Sequence, residues 1–389
     1  MSQKMSVNYY TQFKCIADQC SLSCCQEWRI AVDDGTHKKW EALKLGEVEY
    51  EGETYESLKL CDCTKKDEGG HIVKLKEDKK CPFLNQKKLC RLVMELGEGY
   101  LSETCTTFPR QINVFDERTE YTLATCCPAV VDLLNESQEQ VQFQQEGSIS
   151  QKDSLLMAIR EMMISIMENQ AYSLSQRMMI IFYALLDLYS KKQMSEEEIK
   201  KCSTQGYTQP IARAIEKMKF DKLDSFFERN ELFLDIVENY RKQKLYVSYI
   251  EDIAALGEIL EEKYTDEVLE DKLAHFEEKL LAYQKLLNNY MVAELLGNLL
   301  MPDMNLKDLI IAYQWIALEY SVMKQGIFLR WLEEGAGDIP YTMVRDYITV
   351  ISRVTGYDQD DIIEYLENSF EEVVWEWGYL ALIVGNEKL

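Results

Sequence analysis

The residues in this chain that could do chemistry are sulfurs. Residues 13–28 read FKCIADQCSLSCCQEW, placing Cys15, Cys20, Cys24 and Cys25 at C-x4-C-x3-C-C between Phe13 and Trp28. Residues 81–110, CPFLNQKKLCRLVMELGEGYLSETCTTFPR, supply Cys81, Cys90 and Cys105, and Cys126-Cys127-Pro128 follows. Eleven of the twelve cysteines fall at or before Cys127; only Cys202 lies beyond. Clustered cysteines at such short spacings most often bind metal. With only His37, His71 and His275 available, a site would be thiolate-rich. That chemistry points to zinc or an iron–sulfur cluster, and away from calcium, magnesium or a histidine-rich catalytic zinc.

Cys15, Cys20, Cys24 and Cys25 are one half of the candidate ligand set; Cys81, Cys90, Cys105 and Cys127 are the other. Eight thiolates would serve one cluster plus a zinc, two clusters, or two zincs. Cys81-Pro82 and Cys127-Pro128 fit this reading, because proline often follows an iron–sulfur ligand, stiffens the loop and removes a competing N–H. Adjacent residues such as Cys24 and Cys25 point in different directions, so they feed different metals or leave one thiol packed inside. Cys61 and Cys63, a C-x-C pair, could join a site. Cys202, alone on a helix, reads as a packing thiol and His71 as a surface residue. Arg110, in TFPR directly after a cysteine loop, is a candidate for the carboxylate of a small molecule; an ordinary salt bridge would use it equally well.

The N-terminus MSQKMSVNYYTQFK has no apolar core of the kind a secretion signal carries, which predicts a cytoplasmic protein. Reduced thiols in that compartment argue against a disulfide framework. The longest apolar run, Met178 to Leu186, is too short to span a bilayer, so no membrane association is expected. Net charge is −24. Residues 1–135 carry 18 basic and 22 acidic side chains, whereas residues 136–389 carry 25 and 45. Neither part offers the basic face that nucleic acid requires. The acidic back half serves solubility, or attracts a lysine-rich protein partner.

The elements that must position the sulfurs are short. RIAVDD reads as a strand running into a turn, and Thr36 as the cap of the helix THKKWEAL. HIVKLKED alternates like a strand. CPFL is extended ahead of the helix LCRLVMEL, which Gly97 ends; Ser102 begins another turn carrying Cys105. NVFDERTEYTLA reads as a hairpin turning near Asp116-Glu117, and AVVDLL starts a helix. The Gln-, Glu- and Ser-rich residues 136–151 read as a linker, or a helix end plus loop. From Lys152 onward the periodicity is helical, with capping boxes at Ser173-x-x-Gln176 and Ser195-x-x-Glu198, a buried central helix at Met178–Leu186, and helix starts near Asp221, Tyr246, Asp266, Asn305, Pro340 and Asp358. The expected fold is mainly α: a small cysteine-rich α+β metal-binding domain over residues 1–135, a linker over 136–151, and an acidic all-helical domain over 152–389.

No G-x-G-x-x-G, P-loop, G-x-S-x-G or H-E-x-x-H motif is present. The residues alone therefore stop at a cysteine-ligated metal domain on a helical domain. Beyond that, YYTQFKCIADQCSLSCCQEWRIAVDDGTHKKW resembles the N-terminal signature of the flagellin lysine-N-methylase family. The stretch from Cys81 to Arg110 and the later CCP match in the same order. The signature covers about the first third of the chain, and the same elements resemble a broader group of zinc- or iron-chelating cysteine-cluster proteins. The resemblance implies methylation of lysine ε-amines on flagellin with S-adenosylmethionine and an iron–sulfur (4Fe-4S) cluster on the cysteines; the cysteines themselves leave zinc open, instead of or beside the cluster. The alternative it leaves is a non-catalytic zinc- or iron-binding protein. Radical enzymes that cleave this donor use C-x3-C-x2-C; here Cys20-x3-Cys24 matches half, but Cys25 follows at once, so no radical mechanism is implied.

Overall fold

The computed structural model describes the chain apart from residues 1–2, 51, 68, 117, 147–154, 192, 219–220, 357 and 386–389. It is mainly helical, with a small strand-rich part near the N-terminus. The chain divides into two compact units. One comprises Met1–Phe13, Ile112–Cys126 and Val130–Leu389; the other comprises Lys14–Gln111 and Cys127–Ala129. The first thirteen residues thus belong with the helices, not with the cysteine-rich segment that follows them.

The cysteine-rich unit is built on a compact core of Ile30, Val32, Trp40, Leu45, Leu60, Phe83 and Leu92, into which Cys63 and Cys81 are packed. Trp40 fills its centre edge-on to Phe83, and its indole N–H donates to the Tyr100 carbonyl at 2.9 Å. Strand Ala31–Val32 pairs with Gly70–Val73, which pairs with Thr64–Asp67. The strand predicted over HIVKLKED stops at Val73, because Lys74 N–H turns to the Cys63 carbonyl and Lys76 N–H closes a turn on Lys80. The helix predicted at THKKWEAL is Asp34–Glu41. Its cap is Asp33 rather than Thr36: the carboxylate accepts from Thr36 N–H at 2.8 Å, and Thr36 lies inside the first turn, buried. The helix Arg91–Leu96 ends at Gly97 as expected, where φ is +91°, a value that favours glycine.

The helical unit carries one four-stranded sheet, in the order Phe143–Glu146, Gln3–Val7, Arg118–Leu123, Arg110–Val114. Gln3–Val7 runs parallel to Arg118–Leu123 and antiparallel to Phe143–Glu146. The predicted hairpin is present as the last two of these strands, although Glu117 at its turn lies outside the described residues. The segment expected to be a linker contributes the edge strand Phe143–Glu146, and its end, 147–151, also lies outside them.

From Leu155 the described chain is helical. Both predicted capping boxes form, at Ser173/Gln176 and Ser195/Glu198. Met178–Phe182, Ala184 and Leu185 are fully buried, but Tyr183 is exposed, so this helix keeps one face on solvent. The helix Leu306–Glu333, 28 residues long and capped by Asn305, is buried along most of its length. Its Gly326 lets the Tyr347 ring approach: a Cβ there would lie 2.9 Å from Tyr347 Cδ1. Among the described residues no helix is long and apolar enough to cross a membrane.

Candidate functional site

The two cysteine stretches are joined backbone to backbone. Cys81 N–H donates to the Cys25 carbonyl at 2.7 Å, Glu27 N–H donates to the Lys79 carbonyl at 2.8 Å, and Gln26 bridges Lys80. CPFL folds into a turn in which Leu84 N–H returns to the Cys81 carbonyl and Leu84 bridges Cys90. Cys90 then caps the Arg91–Leu96 helix. Cys105 sits in the short helix Glu103–Thr107, where its N–H donates to Ser102 Oγ at 3.2 Å. Trp28 packs edge-on to Phe108 at 4.4 Å between centroids, which fixes the end of the first stretch against the end of the second.

The result is a set of sulfurs that feel one another. Cys25 resists ionisation because it is hydrogen-bonded to Cys24, because it is buried, and because Cys24, Cys81 and Cys90 repel its thiolate. Burial raises Cys81, and the charges of Cys90, Cys105 and Cys63 raise it further. Cys90 is raised by burial and by Cys24. Cys105 is an exposed residue, yet the protein crowded about its sulfur, helped by Cys24 and Cys90, pushes its thiol up to about 11. Five of the eight predicted ligands, Cys24, Cys25, Cys81, Cys90 and Cys105, are therefore electrostatic neighbours, with Cys63 at their edge. Of the others, Cys15 is exposed, the Cys20 thiol donates to the Leu22 carbonyl at 3.2 Å, and Cys127 is buried within the same unit. Thiols that cannot ionise together without a counter-charge are the kind of donor set that a bound cation stabilises, with release of their protons. They fit a thiolate-ligated centre in chemistry, although among the described residues no three His, Cys, Asp or Glu side chains already stand around one point as a metal site.

The remaining candidates have surroundings of their own. Cys202 is buried and donates to the Glu198 carbonyl one turn back, the packing role expected of it. Arg110 opens the edge strand Arg110–Val114, half-buried. His71 is not a plain surface residue: it stacks on His37 at 3.6 Å with 11° between the rings, and Asp34 lies 3.8 Å from its Nδ1.

The helical unit holds a second polar cluster that the sequence reading did not single out. Thr125 Oγ1 donates to Glu294 Oε1 at 2.5 Å, and Asn298 Nδ2 donates to Glu294 Oε2 at 2.5 Å. Ser352 Oγ donates to Glu319 Oε1 at 2.7 Å, and the Tyr290 hydroxyl and Thr355 also donate to Glu319. Burial, reinforced by the Glu319 charge, pushes the Glu294 carboxyl up to about 8. Burial likewise lifts the neighbouring Cys126 thiol to about 12, while Arg353 opposes the shift and its Nε–H donates to the Cys126 carbonyl at 3.0 Å. The available signal was a lone Glu in each of two otherwise apolar helical runs, MVAELLG and WIALEYSV. Nearby, Glu120 accepts from both terminal nitrogens of Arg160, at 2.8 and 2.5 Å, and lies 2.6 Å from Arg118 Nη2, a fully buried carboxylate between two cations. The same unit also contains a cavity of about 790 Å³ among its helices.

Comparison with known proteins places these features in a family. Residues 160–383 match the family model of the FliB lysine N-methylase C-terminal domain. This is the helical part of the chain, where the sequence offers no sharp motif. The chain is 31% identical over 130 residues to the flagellar biosynthetic protein FliU of Salmonella muenchen, covering 33% of this chain and 75% of that protein. It is 30% identical over 132 residues to the lysine-N-methylases of Salmonella typhimurium and Salmonella choleraesuis, covering 33% of this chain and 31% of each of them. No solved structure matches. On the family model and the FliU match, the chain belongs to the FliB lysine N-methylase family.

Proposed function

We propose that this protein is a cytoplasmic lysine N-methyltransferase that uses S-adenosylmethionine, acts on flagellin, and carries an iron–sulfur cluster on its cysteine-rich unit. The observation that carries this reading is the backbone pairing that joins the Cys24-Cys25 stretch to the Cys81–Cys90 turn within a chain of the lysine N-methylase family. The names of the relatives support both halves of the reaction: two are lysine-N-methylases and one is a flagellar biosynthetic protein.

Bound S-adenosylmethionine supplies an electrophilic methyl group on a sulfonium. The lysine nitrogen forms the new C–N bond with its lone pair as the C–S bond breaks, and the pair from that bond goes to sulfur. The ammonium proton has to leave first, because a free lysine is almost wholly protonated at neutral pH. What the protein must contribute is in-line placement of amine and methyl and access for a water molecule that takes up that proton. The cysteine-rich unit would hold the cluster through four thiolates drawn from Cys24, Cys25, Cys81, Cys90 and Cys105. The acidic helical unit would draw in a lysine-rich chain, and binding that is indifferent to ionic strength would refute that role.

The test is anaerobic purification followed by metal, sulfide and visible-spectrum analysis. A brown protein with acid-labile sulfide is the predicted outcome. A colourless protein containing zinc would instead favour a non-catalytic metal-binding role.

A further inference from the structure

Resting on that reading, we propose that the cavity of the helical unit and a smaller one beside it form a docking groove for a lysine-bearing stretch of the protein substrate, a groove that binds substrate and takes no part in methyl transfer. The two have volumes of about 790 and 450 Å³, and they adjoin, because Asp221, Lys222 and Ala274 line both. Their walls carry six carboxylates against three cations. Two of those cations are buried and engaged within the wall. Lys324 Nζ meets Glu277 Oε1 at 2.7 Å, and Arg229 Nη1 donates to Ser225 Oγ at 2.7 Å and to the Ile383 carbonyl at 3.3 Å. The third, Lys222, is exposed.

Most of the acid lies along one helix. Asp266–Leu280 lines the groove with Glu270, Asp271, Glu277 and Glu278, a spacing that keeps all four on one side of the helix. The lysines of that helix are engaged elsewhere: Lys279 Nζ meets Asp338 at 2.6 Å, and Lys272 sits over the Tyr264 ring at 5.5 Å. Among the described residues Glu216, Glu270, Asp271 and Glu278 make no ion pair, and all four are exposed. Nor do these carboxylates converge: no three His, Cys, Asp or Glu side chains among the described residues stand together as a metal site. The matching occupant is therefore positive charge spread along a chain, rather than one metal ion.

Lysine suits the groove because most of its length is apolar. Leu174, Leu273 and Leu287 are buried in the walls, whereas Met218 and Leu281 leave large apolar side chains exposed there. A lysine stem would cover them while its ammonium reached the carboxylates. The groove already receives one lysine of the chain itself, since Lys324 is buried in its wall with the ammonium on Glu277. Asp271 and Glu278 are seven residues apart, about 10 Å along the helix axis. An extended chain covers that distance in about three residues, so two lysines at that spacing would meet both. An acidic peptide would be repelled by the same walls.

The experiment measures flagellin binding by calorimetry, together with KM and kcat for its methylation, on the full metal-loaded chain. Wild type is compared with Asp271→Lys/Glu278→Lys and with Glu364→Lys/Glu367→Lys. The second pair is an equal charge reversal on the helix Gln359–Phe370, which lines neither cavity. All four positions are exposed, so the core is left intact. Reversing two surface charges that meet lysine predicts that Kd and KM rise about fivefold or more at low salt in Asp271→Lys/Glu278→Lys. Its kcat should stay within about twofold of wild type, and its binding should lose most of the salt dependence that wild type shows. Glu364→Lys/Glu367→Lys must keep Kd and KM within about twofold. Equal weakening by both pairs would mean that net charge attracts the substrate, and wild-type values in Asp271→Lys/Glu278→Lys would remove the groove outright; either result overturns the proposal with lysine methylation intact. A wild type with no measurable affinity for flagellin overturns it too. A wild type that binds flagellin through the groove but never methylates lysine refutes the functional reading and leaves the groove standing.

Discussion

Cys81 donates its backbone N–H to the carbonyl of Cys25 at 2.7 Å, so two cysteines 56 positions apart in sequence are joined by main chain before any metal is considered. The thiols on either side then share one electrostatic environment. Replacing one member should empty the centre rather than shift it. Cys81→Ser is expected to lose most of the bound metal and sulfide per chain, while Cys202→Ser keeps both. Equal retention in the two variants, measured by metal and sulfide analysis, would remove Cys81 from the ligand set.

Asp33 supports that geometry from outside. Its carboxylate caps two helices, accepting from Thr36 N–H at 2.8 Å and from Glu103 N–H at 2.9 Å, and the second of these helices carries Cys105. The Glu103 N–H holds the Asp33 carboxyl below its ordinary range, with Thr36 adding to the effect. A depressed carboxyl contributes stability above its unfolded value and loses it as pH falls through the folded value, so this contribution belongs to the acid limb below about pH 4. Asp33→Ala is expected to cost about 1–2 kcal/mol and to flatten that limb. Amide hydrogen exchange at Glu103 that does not accelerate in the variant would contradict the second cap.

Glu294 acts in the opposite direction. Burial and the nearby Glu319 charge raise its carboxyl to about 8, so the folded protein holds a proton there at pH 7 that the unfolded chain releases. The contribution is complete below the ordinary carboxyl range and is lost as pH rises through about 8. Glu294→Gln, which cannot ionise, should show a shallower decline of Tm between pH 5 and about 9 than wild type. Parallel declines would mean that Glu294 is ionised throughout. The measurement is a pair of thermal melts across that range.

Local chemistry was legible in the sequence wherever it acts over a few residues. Ser173 with Gln176, Ser195 with Glu198, Asn305 ahead of its long helix and Gly97 behind its short one all behave as their residue types dictate. What could not be read depends on partners distant in sequence. Asp33 displaces Thr36 as cap because its carboxylate reaches two helices at once, and spacing cannot reveal the second. Phe143–Glu146 looks like a linker because Gln and Glu are poor strand formers; it is a strand because Gln3–Val7 offers it an edge. His71 is only half-exposed because His37 stacks on it from a neighbouring helix. Cysteine spacing singled out the sulfur-bearing loops, but only the fold distinguishes Cys24, Cys25, Cys81, Cys90 and Cys105 from the exposed Cys15. The pair Glu294 and Glu319, drawn from two helices, is invisible to any helical periodicity.

The most direct test of the account is to incubate the anaerobically purified, metal-loaded chain with flagellin and S-adenosylmethionine and to read the flagellin by intact-mass and peptide mass spectrometry. The account predicts mass steps of one methyl replacing one hydrogen, located on lysine, and their loss in Cys81→Ser. Unmodified flagellin from a protein that carries its full complement of metal and sulfide would contradict it.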